Sequence, residues 1–115
     1  NNKLQFKDFG VARQYYHTEH YNAAVNAFDI FNEEHLGSVY KEEAMYIRFK
    51  SSYELGMGSI LGKKFDRISE AILYFKKFEK AFPNSEYMKE AQKMVVELQE
   101  EMKKTQEQLS TISQN

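Results

Sequence analysis

The segment at residues 22–44 returns at residues 69–91, 47 positions later. Ala24 pairs with Ala71, Phe28 with Phe75, Phe31 with Phe78, Ser38 with Ser85 and Tyr40 with Tyr87, and Glu43-Ala44 pairs with Glu90-Ala91. Seven identities over 23 aligned positions exceed the one or two, roughly, that average composition gives. Repetition at this period belongs to stacked helical arrays, in which a unit buries its apolar face only against its neighbours. A chain built this way is expected to be a binding scaffold, without a catalytic pocket.

The remaining sequence supports a helical array. At 115 residues the chain is expected to form one domain. Apolar residues recur at steps of three and four, and strands are not expected. Aromatic residues make up 15% of the chain, all Phe and Tyr, which supply large buried areas between packed helices. With a net charge of −1 and no long run of one sign, the chain lacks a nucleic-acid footprint. It has no cysteine, which excludes disulfides and thiolate metal sites. The sequence opens on Asn1-Asn2, so a processed protein or an excised fragment is expected.

Pro83 and the five glycines divide the chain into helices expected near 4–17, 20–35, 39–56, 66–82 and 86–110. Ser38 and Ser85 stand where a hydroxyl can cap a helix start. The spacing matches a tetratricopeptide unit: Ala12 and Tyr15 on a first helix, Ala24-x3-Phe28 on a second, then Tyr53, Ala71-x3-Phe75 and Pro83 in the next unit. The expected fold is all-α, a tetratricopeptide-like right-handed helical solenoid. Two antiparallel helix pairs, at about 4–37 and 38–84, precede a long C-terminal capping helix at about 86–110. The period is longer than the ordinary length of about 34 residues. Much of the surplus falls in Gly56–Lys64, read as a flexible loop with Ile60 and Leu61 at its tip. That tip either folds back on the array or docks a partner.

The pattern resembles the BamD-type outer-membrane assembly lipoproteins, a tetratricopeptide-repeat family. The residues that carry the likeness are Tyr21, Ala24, Phe28 and Phe31, then Ser38, Tyr40, Glu43 and Ala44. They continue through Tyr53, Arg67, Ala71, Phe75 and Phe78 to the run Phe82-Pro83-Asn84-Ser85-x-Tyr87-x2-Glu90-Ala91. In the first copy His35-Leu36-Gly37 replaces Phe-Pro-x, a departure from the signature. The resemblance implies a non-catalytic scaffold on the periplasmic face of the outer membrane, lipid-anchored in the full-length protein. It also implies protein partners: β-barrel assembly subunits or extended client peptides. A general peptide-binding adaptor in the cytoplasm or a regulatory system is the alternative.

Candidate chemistry is sparse. His17-Thr18-Glu19-His20 has metal-like letters but no further ligand near in sequence, and solvent-exposed turn residues are the better reading; no metal site or cofactor is expected. The doublets Glu33-Glu34, Glu42-Glu43 and Glu100-Glu101 point apart on a helix and read as solvated faces. The basic pairs Lys63-Lys64, Lys76-Lys77 and Lys103-Lys104 serve ordinary solubility in the better reading, with contact to lipid head groups as the alternative. In such arrays the first helix of each pair lines an inner groove. Its expected binding residues are Phe9, Arg13, Tyr16 and His17 in the first unit and Ile47, Arg48, Ser51 and Glu54 in the second, with Ile60 and Leu61 on the connector. Arg and Tyr together suit peptide recognition, since a guanidinium binds carbonyls or carboxylates and a phenol ring offers apolar area. A heptad seam of Ala91, Val95, Leu98, Met102, Thr105, Leu109 and Ile112 leads into a tail that is expected to fray or dock on another chain beyond about residue 100.

Overall fold

The computed structural model describes residues 2–113, which form five α-helices and, among the described residues, no strand. These are α1 (Asn2–His17), α2 (Tyr21–Glu34), α3 (Lys41–Met57), α4 (Leu61–Ala81) and α5 (Met88–Ser113). The fold is the expected all-α one, with consecutive helices packed in adjacent pairs. Among the described residues, no helix is long and apolar enough to cross a membrane.

The two copies close their helix pairs in the same way. His35 N–H donates to Phe31 O at the end of α2, and Phe82 N–H donates to Phe78 O at the end of α4. In the connectors that follow, Ser38 N–H reaches His35 O and Ser85 N–H reaches Phe82 O. The Ser38 hydroxyl accepts from Tyr40 N–H at 3.0 Å, and Ser85 accepts from Tyr87 N–H at 3.1 Å. Both hydroxyls therefore close the turn leading into a helix and do not cap its first helical N–H groups. His-Leu-Gly and Phe-Pro-Asn thus follow one path despite sharing no letter.

Each connector delivers a tyrosine onto the preceding pair. Tyr40 stacks on Phe9 with ring centres 4.9 Å apart, and Tyr87 stacks on Tyr46 at 4.5 Å. Phe31 then meets Phe9 at 5.8 Å, and Phe78 meets Tyr46 at 5.8 Å. His35 packs on Phe31 and Phe82 on Phe78, which completes the same four-ring cluster in each copy. Offset and tilted ring pairs of this kind add to the burial of the large apolar faces they cover. Ala12, Ala24, Ala44, Ala71 and Ala91 are wholly buried, where a small side chain lets neighbouring helices approach. Tyr15 is 40% exposed, contrary to the expected packing role, while Tyr16 one position on packs against the core.

The Gly-rich connector is not a long loop. α3 continues through Met57 and α4 begins at Leu61, leaving Gly58, Ser59 and Ile60 as the whole turn. Ser59 holds it, donating from its hydroxyl to Leu55 O at 2.6 Å and accepting from Arg67 Nη1 at 2.9 Å. The first turns of α4 also account for the tail of α5. Lys64 Nζ lies 2.8 Å from Glu101, and Thr105 is fully buried with its hydroxyl bonded to Glu101 O. The seam beyond residue 100 is thus covered by the chain itself as far as Thr105, while Ile112 is exposed. Nearer its start, α5 is tied to α3 by the Tyr53 hydroxyl, which donates to Glu97. Burial and that carboxylate push the Tyr53 pKa up to about 12.

Candidate functional site

The odd-numbered helices form one side of the array: the backbones of α1 and α3, and of α3 and α5, come close, whereas those of α2 and α4 stay apart and meet through the Tyr74 and Asp29 side chains. The closer approach of the odd helices makes theirs the inner side. A cleft of about 250 Å³ opens there, and four of the expected residues meet in it: Arg13, Tyr16 and His17 from α1 and Ile47 from α3. Glu43, Tyr46 and Lys50 of α3 join them, with Tyr87 from the turn before α5.

The cleft is aromatic with two cations at its wall. The Arg13 guanidinium stands 5.3 Å from the Phe9 ring centre. Lys50 Nζ lies 5.6 Å from the Tyr16 ring centre and 5.8 Å from that of Tyr46, and only 3.8 Å from Glu90. His17 turns edge-on to Tyr16 at 5.7 Å. The Tyr46 hydroxyl is buried with no hydrogen-bond partner. Its surroundings favour the neutral phenol: burial, followed by the charge of Glu90, raises its pKa far above the ordinary value. Glu90 acts on the phenol through hydrogen bonding as well as charge, so its carboxylate stands near the hydroxyl, although outside the distance and angle of a formed bond. A buried hydroxyl left unpaired carries a desolvation cost that a polar group entering the cleft would relieve.

The other expected groove residues lie elsewhere. Phe9 is a core residue, 3% exposed between Phe28, Phe31 and Tyr40. Arg48 and Ser51 are interior as well. Arg48 Nη1 binds Asp29 at 2.8 Å and its guanidinium covers the Tyr74 ring at 4.3 Å. The Tyr74 hydroxyl lies within reach of both Asp29 and Glu70, so this network joins α2, α3 and α4 and serves the fold. The reason for the displacement is that α3 touches all four other helices, so a face that is free on an outer helix is packed on this one. Glu54 stays half-buried beside the groove residues of α3. Ile60 is exposed at its turn, and Leu61 lines a different cleft, of about 650 Å³, with Lys104, Thr111 and Ile112 of α5.

Sequence reasoning missed Glu43, Tyr46, Lys50 and Tyr87. A signal for Tyr46 and Lys50 was present, since they stand one and three positions from Ile47 on a helix already assigned to the groove. Tyr87 was hidden because its repeat identity to Tyr40 marked it as a packing residue, and it packs and lines the cleft at once. Of the polar clusters, His17 and His20 belong to no group of three convergent metal-ligating side chains among the described residues; His20 Nδ1 lies 2.8 Å from the Thr18 hydroxyl at the exposed α1–α2 turn. Glu42 accepts from the Ser85 hydroxyl at 2.7 Å, and Glu101 is held by Lys64, so two of the three carboxylate doublets contribute to packing.

Comparison with curated proteins gives no match. Comparison with protein-family models gives one that spans both helix pairs, the groove between them and nearly all of α5. Matched over residues 4–112 to the family model described as YfiO, outer membrane lipoprotein, the chain belongs to that family.

Proposed function

We propose that the chain is a non-catalytic, BamD-like interaction scaffold that helps assemble β-barrel proteins into the outer membrane. In this reading it works at the periplasmic face, lipid-anchored in the full-length protein. Its inner groove receives extended segments of client chains or of other assembly subunits. The family match supports the setting, and the groove supports the mode of action. An unpaired β-strand presents backbone carbonyls and N–H groups with alternating apolar side chains. The groove offers complementary chemistry: the Tyr46 hydroxyl for a backbone group, Arg13 and Lys50 for carbonyls or carboxylates, and the faces of Tyr16 and Tyr87 for apolar side chains.

The observation that carries the reading is the buried, unpartnered hydroxyl of Tyr46, a residue that lines the same cleft as Arg13, Lys50, Tyr16 and Tyr87. Its test is a labelled peptide of about ten residues, the length of a membrane-spanning β-strand, followed by fluorescence anisotropy. Tyr46→Phe is expected to leave the melting temperature unchanged or raised, because it removes an unsatisfied buried hydroxyl. The same substitution is expected to weaken peptide binding about three- to tenfold, as are Arg13→Ala and Lys50→Ala. Absence of saturable binding, or wild-type affinity in all three variants, would refute the groove as the binding site.

A further inference from the structure

Asp8, Glu34 and His35 converge where the end of α2 meets α1, with donor atoms all within 4.8 Å of one another. Sequence spacing conceals the group, because Asp8 lies a whole helix away from the other two. His35 Nε2 and Asp8 Oδ2 are 2.9 Å apart. Two donors each about 2.0–2.1 Å from one ion lie roughly 3.0–3.4 Å apart, so this pair is already close to the spacing of neighbouring ligands. Glu34 is exposed and free to swing inward, and it lines with Asp8 a cleft of about 210 Å³ that gives an ion and its waters access.

Comparison of the two copies isolates what these residues add. Phe9 and Tyr46 hold the same place in their ring clusters, as do His35 and Phe82. Asp8 therefore corresponds to Met45, Glu34 to Ala81 and His35 to Phe82. All three positions are apolar in the second copy, and the phenyl ring of Phe82 completes the cluster without any polar contribution. The imidazole is thus not required for packing, yet the side chain of His35 is 91% buried and fixed against Phe31 at 4.9 Å. The partner of Asp8 is His35 itself, so the carboxylate and the imidazole face one another across the two helices. Two carboxylates and a neutral imidazole balance the charge of one divalent cation, and the carbonyl end of α2 adds negative potential there.

We infer that Asp8, Glu34 and His35 form a binding site for a divalent transition-metal ion of the zinc type. One imidazole and two carboxylates are the donor set such an ion accepts, with water completing its coordination. Binding would clamp α1 to the end of α2, so it stabilises the first helix pair.

The test is calorimetric titration of the chelator-treated chain with Zn²⁺ at neutral pH, paired with thermal melts with and without the ion. One equivalent is expected to bind and to raise the melting temperature. His35→Phe copies the second repeat and should keep the metal-free fold, yet lose at least about tenfold in affinity together with the thermal shift. Glu34→Gln, at an exposed position, should weaken binding without altering the metal-free melt. A His17→Gln/His20→Gln double variant should bind as the wild type does. Absence of saturable uptake, uptake unaffected by both His35→Phe and Glu34→Gln, or uptake lost in the His17/His20 variant would each overturn the inference.

Discussion

Gly56 marks a close approach of α3 to α4. A Cβ placed there would meet Ile68 Cγ1 at 3.2 Å and the backbone of Arg67 and Ile68 at 3.4 Å. Gly10, inside α1, would meet nothing within 4 Å. The two glycines therefore respond oppositely to substitution. Gly56→Val is expected to cost about 1–3 kcal/mol through overpacking, whereas Gly10→Ala is expected to add about 0.5–1 kcal/mol by removing backbone freedom from the unfolded chain. Urea unfolding of both variants checks the pair, and a stabilised Gly56→Val would show that the helices are not in close contact there. At this scale the sequence was most legible where one residue type suits only one environment. The repeated alanines and phenylalanines are core residues, as their spacing indicated. Arg48 was illegible because an arginine reads as surface, whereas here Asp29 and the Tyr74 ring supply the partners that let it be buried.

At the scale of helices, the start of α4 decides two features at once. Three glycines in nine residues suggested a loop, but Leu61, Phe65, Ile68, Ile72 and Phe75 continue an apolar stripe at steps of four and three through the same stretch. Periodicity prevailed over glycine count, since Gly62 in the first turn meets no neighbour and costs little there. With α4 beginning at Leu61, Lys64 reaches Glu101 and covers part of the α5 tail. The Lys64 hydrogen bond, the largest influence on this carboxyl, holds it below its ordinary pKa against the opposing effect of burial. A carboxyl whose pKa is depressed by folding contributes stability above its unfolded value of about 4.3, and that stability is lost as pH falls through the folded value. Lys64→Met should therefore lower stability by about 0.5 kcal/mol at neutral pH and flatten its decline towards acid. Urea midpoints at about pH 6 and about pH 3 measure this; equal slopes in both proteins would mean that the ion pair adds nothing.

The whole molecule is an array 57 Å long and 27 by 20 Å across, with one side formed by α1, α3 and α5. Its architecture was legible because repeat identities mark the residues that copies must share to stack. The candidate sites were only half legible for the same reason: they lie where the copies differ. Tyr46 answers Phe9, and its added hydroxyl is the group without a partner in the groove. His35 answers Phe82 and meets Asp8 from another helix. No spacing rule along one helix reveals such pairs, because the tertiary fold brings them together.

The central claim is that the inner groove receives an extended chain segment. The most direct test is amide chemical-shift mapping on the isotopically labelled protein as an aromatic-rich β-strand peptide is added. Shifts concentrated at Arg13, Tyr16, His17, Ile47, Lys50 and Tyr87 are the predicted result. No shifts at a large peptide excess, or shifts confined to the cleft between Leu61 and Ile112, would contradict it.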